Sequence, residues 1–578
     1  MAAAFVLASA CTPDVSSTSA TDDESGTTGD VDPPTSTSTP TPAESSESGP
    51  APVCTPGEVQ CTSEDGLQTC NADGLGFTDE GCPTGHVCLP CEDDTCEADR
   101  CVGPCDPPLL QRSSAGCSFL AARQLGLSEV IGPELGVPEE DWPADGLLVV
   151  NPSTELTATV QLYDLAQGST EPAPMGDPLV LAPEGAELVP LRTPLPLGGI
   201  STLRIGAMVW VESDAPVVVY SYSPYDPFVG NDSSMLLPET SLAQHYVVPA
   251  FPPHYLQFQG AGYPTYFDVL ATAADTQVRW LAQFAPTQGT GIPIAPVSTG
   301  EWSPQYTVDR FEGVRVVASF DGVEDPHDAD VSGMVVEATA PIYVVAGSRC
   351  SSVPAADSGS AGCDPLTEAL IPIEQWGRTY VVPHPPLRAD EEHYYRIYGG
   401  DEGVAVTTMP PSILGGDVVF ASRGDYVDVA VPNATSFVVE ADGPVMVVGY
   451  LAERYVAGEL GDPAMYQHVP VQQAATRYAL GAPARWDQQY VQVTREADDD
   501  VTLDGTPLSE WTAVGPYETT TVLVEPGVHI LDSASPFTAI QFAYNNSEGM
   551  ICTTFDATAC HSSYAHSVGA LSAPLYAP

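Results

Sequence analysis

One short pattern, a proline followed by a run of apolar residues, recurs four times along the chain. Proline has no backbone N–H, so it is tolerated just before the first hydrogen-bonded residue of a strand. The run that follows is apolar on both faces, which predicts a strand buried on both faces. The four copies begin at Pro216, Pro341, Pro444 and Pro536.

Each of these strands follows a segment in which apolar and polar residues alternate around a polar turn, the pattern of a two-stranded hairpin. A third element, Tyr-Val-Val-Pro or a variant of it, links neighbouring copies at residues 245–249, 379–383 and 477–480. Repetition of the same order predicts an all-β region of about four tandem antiparallel β units. The hairpins lie at residues 147–160, 267–278, 395–406 and 491–503.

The units are expected to pack on one another, because none is flanked by a segment with the composition of a disordered linker. A propeller-like ring and a string of tandem β-sandwiches both fit the pattern. We slightly prefer the ring, since it leaves fewer sheet edges exposed to aggregation.

Cysteine clustering predicts disulfides in an exported protein, because the chain has 15 Cys, most of them close together. Ten lie within residues 54–117, where Gly, Asp and Pro are frequent and apolar residues are few. A small disulfide-rich module is the expected result, similar to the EGF-like modules of bacterial surface proteins, and its pairing cannot be deduced from the spacing. A metal site is the alternative use of these thiols, and the Cys88–Cys91 CxxC is its one supporting motif.

Four further cysteines form two local couples, Cys350 with Cys363 and Cys552 with Cys560, each expected to be a disulfide. Fourteen cysteines can therefore pair, and Cys11 remains. Cys11 ends an apolar run that begins at Met1 and closes on small residues, as a secretory signal does. The pattern resembles the lipobox of bacterial lipoproteins, which implies cleavage before Cys11 and acylation of that residue.

These observations predict four regions. A signal peptide (1–10) precedes a lipidated Cys11 with a disordered Ser/Thr/Pro/Asp tether (11–53), the Cys-rich module (54–117) and the repeated all-β domain (118–578). The predicted location is exported, at the outer membrane or cell surface. No apolar run is long enough to span a bilayer, so lipid is the only membrane anchor that the sequence predicts.

The strongly negative net charge of the chain restricts the kinds of partner that it can bind. The formal net charge is −60, and all 17 basic residues are Arg. Nucleic acids and anionic lipid headgroups require cationic surfaces, so the sequence argues against both as partners.

Catalytic motifs are not found: the chain has no Gly-x-Ser-x-Gly, His-Glu-x-x-His or Walker loop. No cofactor is predicted, apart from calcium at one acidic loop. The carboxylates of Asp321, Asp325, Asp328 and Asp330 supply the oxygen ligands that calcium prefers, although the spacing is not that of an EF-hand. The alternative interpretation is a solvated acidic turn.

One stretch of the repeat region is similar to a known family. It comprises residues 330–350 and the following 363–366, with further matching segments at 394–397, 462–465 and 501–505. Together these resemble the N-terminal domain of IgGFc-binding proteins, in the version found in bacterial (myxobacterial-type) surface lipoproteins. The resemblance covers most of 118–546, and the Cys350/Cys363 couple is its most specific part.

The predicted lipid anchor, the tether, the disulfide-rich module and a repeat domain without catalytic motifs together favour a non-catalytic surface module that binds an extracellular protein or glycan, in adhesion or matrix assembly. Two alternatives remain: an architectural coat protein without a specific ligand, and a hydrolase on a β scaffold. Likeness of fold alone does not carry function, so antibody binding is not transferred to this chain.

Overall fold

The computed structural model describes residues 51–83, 85–91, 98–106, 112–122, 145–191, 200–223, 231–256, 261–289, 293–355, 363–484, 486–545 and 561–578. The predicted signal peptide and nearly all of the predicted tether lie outside these residues. Within the described part of the chain, no helix has the length and apolar character needed to cross a membrane.

The N-terminal region is small and held by disulfides. Its strands are β1 (Val59–Ser63), β2 (Gly66–Cys70), β3 (Phe77–Asp79), β4 (Val87–Leu89) and β5 (Arg100–Val102). The first three form one antiparallel sheet and the last two a hairpin. Its described disulfides are Cys54–Cys70, Cys61–Cys88, Cys82–Cys101 and Cys105–Cys117.

The rest of the chain consists of four β units. Unit 1 contains β6 (Gly116–Ala122), β7 (Asp145–Val150), β8 (Ala158–Leu165), β9 (Ala173–Pro174), β10 (Leu179–Leu181), β11 (Ala186–Leu191), β13 (Met208–Ser223) and β14 (Asp232–Met235), and its chain also supplies β12 (Thr202–Ile205). Unit 2 contains β15 (Ala243–Val247), β16 (Tyr255–Leu256), β17 (Ala261–Gly262), β18 (Tyr266–Ala271), β19 (Thr276–Leu281), β20 (Tyr306–Val308), β21 (Glu312–Val317), β22 (Val335–Ser351) and β23 (Asp364–Ala369).

Unit 3 contains β24 (Thr379–Val382), β25 (His393–Gly399), β26 (Val404–Met409), β27 (Val418–Phe420), β28 (Tyr426–Val431), β29 (Phe437–Ala441), β30 (Val445–Tyr450) and β31 (Met465–Gln467). Unit 4 contains β32 (Ala475–Ala482), β33 (Gln488–Glu496), β34 (Val501–Leu503), β35 (Thr506–Pro507), β36 (Thr512–Val514), β37 (Tyr517–Leu523), β38 (Gly527–Asn545) and β39 (Ser562–Ser567). The 3₁₀ helices are Glu239–Ser241, Pro326–Asp328, Ile373–Gln375 and Val471–Gln473.

Every unit is built around one long strand that belongs to two curled sheets. In unit 1, the first half of β13 pairs with β8 and β6, and the second half pairs with β7 and β14. The strands β22 and β38 do the same in units 2 and 4, and the pair β29 and β30 in unit 3. The hairpins predicted from alternation therefore supply one strand to each sheet.

The recurring proline lies where the long strand changes sheet. Pro216, Pro341 and Pro536 lie inside β13, β22 and β38, and Pro444 immediately precedes β30. In β13 the register with β6 shifts between Glu212 and Val217, a bulge that spans the proline. Each proline comes directly before the first paired residue of its apolar run, as predicted. In three of the four copies the strand also extends before the proline, so the missing N–H falls at an irregularity inside one long strand.

The units contact one another in a cycle. The last strands of the four units, β14, β23, β31 and β39, each contact the next, and β39 contacts β14. Units 2, 3 and 4 each have an apolar core, and a further cluster joins side chains from all four units. The predicted all-β class with tandem packed units is confirmed, but the propeller is not, since each unit is a pair of curled sheets rather than one four-stranded blade.

The links between units form a chain of hydrogen bonds. Gln375 Nε2 donates to the carbonyl of Ser241, and Gln473 Nε2 donates to that of Gln375 at 3.0 Å. The C-terminal segment completes the cycle, because Leu571 N donates to Gln473 O at 2.8 Å and Ser241 Oγ lies 2.5 Å from Ser572 Oγ. Ser114 N, beside β6, donates to Ala570 O at 2.8 Å, so the C-terminal segment also contacts the start of unit 1.

Candidate functional site

The cysteines singled out in the sequence divide into two groups. Cys350, in β22, is bridged to Cys363, just before β23. Cys11, Cys552 and Cys560 lie outside the described residues, so lipidation and the second couple stay predictions.

The four aspartates of the acidic loop have different surroundings. Asp325 accepts a hydrogen bond from His327 N at 3.0 Å and caps the short 3₁₀ helix Pro326–Asp328. Asp330 is buried, and its carboxylate pairs with Arg396 Nη1 of unit 3 at 3.0 Å. Among the described residues, no three His, Cys, Asp or Glu side chains are arranged to hold a metal ion. The calcium site at Asp321, Asp325, Asp328 and Asp330 stays a prediction, and Asp330 would have to leave Arg396 to join it.

A recess beside β12 has the combination of charged and apolar groups expected of a ligand site. The chain of unit 1 supplies β12, but the strand pairs with β21 and forms the edge of the second sheet of unit 2. Alternation along β12 places Arg204 on the buried side and leaves Leu203 and Ile205 partly exposed, at 37% and 45%. Arg204 lies opposite Gly313, where a Cβ would lie 2.1 Å from Val269 O, so no other residue fits at that position.

Arg204 is held by a buried carboxylate. Asp268 Oδ2 accepts a hydrogen bond from Arg204 Nη1 at 2.6 Å, and the same carboxylate accepts two from Arg315, at 2.8 and 2.5 Å. Burial alone would raise the pKa of Asp268, but the two guanidiniums outweigh it and hold that pKa below its usual value. Asp268 is therefore a carboxylate that joins a strand of unit 1 to two strands of unit 2.

The charge and the hydrogen-bond donors of the Arg204 guanidinium are only partly matched by partners in the protein. Burial lowers its pKa, Asp268 opposes that effect, and the neighbouring charge of Arg315 adds to it. Its Nη2 donates to Ala207 O at 2.7 Å, whereas its buried Nε has no acceptor among the described residues. A buried donor without an acceptor is uncommon, and it identifies a place where a ligand can supply the missing partner.

These groups lie around a recess of about 300 Å³. Arg204 and Arg315 contribute to its wall, and the turn at Gln167 and Gly168 closes one side. Its apolar rim contains Leu203 and Ile205 together with Ile200, which is 51% exposed. Among the described residues that line the recess, none is acidic. We call this recess the β12 pocket.

A second polar cluster lies between the units and is closed to solvent. Asp232 Oδ2 accepts hydrogen bonds from Thr367 N at 3.0 Å and Met465 N at 3.1 Å, so one carboxyl links three units. Glu368 Oε1 accepts from Gln467 Nε2 at 3.0 Å. The buried carboxyls of this cluster, at most 4% exposed, are Asp232, Asp364, Glu368 and Asp462.

Burial dominates the protonation of this cluster. It raises the pKa of Glu368 to about 8 and that of Asp462 to about 7, and it raises the pKa values of Asp232 and Asp364 well above their usual range. Because these carboxyls are enclosed, a polysaccharide chain could not reach them. They are better explained as polar contacts that join the units than as the acid and base of a hydrolase.

Sequence reasoning missed both clusters. Arg204 and Asp268 are separated by a whole hairpin, and their meeting depends on β12 crossing into unit 2. The available signal was a charged residue within an apolar alternating run, as in Leu203-Arg204-Ile205 and Phe267-Asp268-Val269. Such residues are rarely buried without a partner, so each could have been expected to find one.

The fold and the β12 pocket define an all-β protein of repeated units whose recess is suited to binding. A family model described as IgGFc binding protein matches residues 232–543, which extend from β14 through units 2 and 3 into β38. The chain belongs to this family, whose description is that of a binding protein. A search of the curated proteins finds no match to this chain.

Proposed function

We propose that this chain is an exported surface lipoprotein whose β units bind an extracellular protein without catalysis. The observation that carries the proposal is the family match, since it covers more than half of the chain, from the last strand of unit 1 through units 2 and 3 into unit 4. The β12 pocket supports it, because a recess with one cationic contact and an apolar rim can hold a ligand but presents no nucleophile beside a general base.

A binding screen tests the proposal. The full chain, with Cys11→Ser to prevent acylation, is immobilised and exposed to a panel of extracellular proteins and to a glycan array, with calcium and with chelator. The expected result is saturable binding of at least one protein that persists after enzymatic removal of its glycans. Binding to glycans alone would replace the protein ligand by a carbohydrate, and binding to neither would favour an architectural coat protein.

The chelator arm also tests the acidic loop. If calcium binds at Asp321, Asp325, Asp328 and Asp330, chelation should change the affinity, and Asp321→Asn should reproduce that change. Identical binding with and without chelator would remove calcium from the proposal.

The anchor needs its own measurement. Cells producing the chain are fed an alkyne-tagged fatty acid, and the label is compared between the natural sequence and Cys11→Ser. The proposal expects label on the natural chain only, and exposure of that chain to protease added outside the cell. Equal labelling of the two chains, or none, would contradict lipidation at Cys11.

A further inference from the structure

We propose that the β12 pocket binds the free C-terminal carboxylate of a partner polypeptide whose last residue is apolar, with Arg204 contacting the carboxylate. This inference rests on the proposed function, since it names the part of the partner that would be recognised. Nothing in the family match selects this pocket, because β12 precedes the matched residues.

The charge of the pocket is the first argument. The chain as a whole carries a net charge of −60, yet the described lining of this recess holds two arginines and no acidic residue. Arg204 also retains a buried Nε donor without an acceptor among the described residues. The two guanidiniums share one carboxylate, that of Asp268, so the group keeps one excess positive charge that an anion from a ligand would balance.

The apolar rim is the second argument. Ile200, Leu203 and Ile205 are each more than one-third exposed and line the same recess as Arg204. An inorganic anion would contact the arginine and leave this rim in water. A ligand that carries a carboxylate next to an apolar side chain would contact both the arginine and the apolar rim. Ligand pockets generally combine an apolar lining with a few polar groups in this way.

The open edge of β12 is the third argument, and it favours a peptide over a fatty acid. Ile205 O accepts from Gly168 N, whereas Gly206 N donates to Phe311 O beside β21. Backbone groups alternate in direction along a strand, so Leu203 directs its N–H away from β21, like Ile205. No described strand pairs with that outer side. An extended peptide can accept a hydrogen bond from this N–H, and a hydrocarbon chain cannot.

The test uses the full chain and a defined probe. The probe is the hexapeptide Gly-Ser-Thr-Val-Thr-Val, labelled at its amino end, with either a free or an amidated carboxyl end, followed by fluorescence anisotropy. The free acid is expected to bind saturably and the amide at least about tenfold more weakly, since the charge-assisted hydrogen bond is lost. Equal affinity of the two forms, or no binding of the acid, would overturn the inference.

Variants locate the site. Leu203→Glu places a negative charge on the exposed rim and is expected to weaken the free acid at least about tenfold while the thermal midpoint stays unchanged. Arg204→Gln should have the same effect on binding, whereas Arg279→Gln, in the same unit but outside the pocket, should have none. Wild-type affinity in Leu203→Glu would place the peptide elsewhere and contradict the proposal.

Two further outcomes separate this inference from the proposed function. Dodecanoate has a carboxylate on an apolar chain. If it displaces the peptide and binds the pocket more tightly than the peptide does, the ligand is not the end of a polypeptide and the inference is overturned. A protein found in the binding screen that still binds Leu203→Glu fully would leave the proposed function standing and remove this pocket from it.

Discussion

Asp268 carries the contact between β12 and unit 2. It accepts hydrogen bonds from two guanidiniums, and all three side chains are at most 3% exposed. In such a group the shared carboxylate contributes more than either partner, because its removal leaves two buried positive charges without a counter-charge.

We therefore expect Asp268→Asn to lower the free energy of unfolding by about 3–5 kcal/mol. Chemical denaturation monitored by fluorescence would measure the loss. The control is Glu337→Gln, which breaks the more exposed pair with Arg279 and should cost at most about 1 kcal/mol. Equal effects of the two variants would show that the buried group is not a stabilising contact.

Glu368 gives the chain a pH dependence of known sign. Burial raises its pKa from 4.5 to about 8, so the folded chain keeps a proton that the unfolded chain loses at lower pH. The contribution to stability is fully present below pH 4.5 and is lost as the pH rises towards 8. We expect the contribution of Glu368 to the free energy of unfolding to fall over this window, by up to about 1.4 kcal/mol per pH unit.

Glu368→Gln tests this expectation, because the amide cannot ionise. Denaturation at several pH values between 5 and 8 should show a shallower decline in this variant than in wild type, and Glu402→Gln, at an exposed position, should leave the wild-type decline unchanged. The difference between the two chains decides the outcome, because burial lowers the pKa values of His393, His468 and His566 and these residues contribute the opposite slope below pH 6.5. An identical pH dependence in Glu368→Gln and wild type would contradict the raised pKa.

At the scale of elements, the links between units do more than connect strands. Each of the three described links places a proline before a 3₁₀ helix, and the third residue of that helix is buried. Gln375 and Gln473 use this position to reach the carbonyl of the preceding link or of the C-terminal segment. These link prolines are Pro238, Pro372 and Pro470, and they are distinct from the four prolines that precede the apolar runs.

Gln473→Ala should therefore destabilise the chain by about 1–3 kcal/mol, since it leaves the carbonyls of Gln375 and Ala573 without this donor. Gln472→Ala, one residue earlier and exposed, is the matched control. It loses only the longer, exposed hydrogen bonds from Arg378 N and Thr379 N, at 3.3 and 3.4 Å, and should cost less. Thermal unfolding of the two variants side by side measures the difference. A larger loss in Gln472→Ala would contradict the role given to the buried position.

Repetition in the sequence made the hairpins and long strands predictable. It did not predict that a strand from the chain of one unit pairs with the sheet of the next. Alternation identified the hairpins, and apolar runs identified the second halves of the long strands, because both patterns depend only on neighbouring residues. The bulge at each proline and the crossing of β12 into unit 2 depend on partners far along the chain. For the same reason the β12 pocket could not be predicted: Arg204 and Arg315 come together only after that crossing.

At the scale of the whole molecule, the four units close into one ring. The expectation that the units pack on one another was confirmed, and the sequence supported it through the absence of linkers, whereas the preferred propeller-like ring was not confirmed. The closing segment was not predicted, since residues 570–576 carry no strand pattern. Their place is fixed by backbone contacts with unit 1 and with the links.

A disulfide trap between the first link and the C-terminal segment tests whether the four units close into a ring. Ser241 Oγ and Ser572 Oγ lie 2.5 Å apart, close to the sulfur separation of about 2.05 Å in a disulfide. The double variant Ser241→Cys, Ser572→Cys is oxidised without denaturant and mapped by non-reducing mass spectrometry, with each single variant as a control. The account predicts a peptide pair joining positions 241 and 572 within one chain. Free thiols at both positions in the folded double variant would contradict the closed ring.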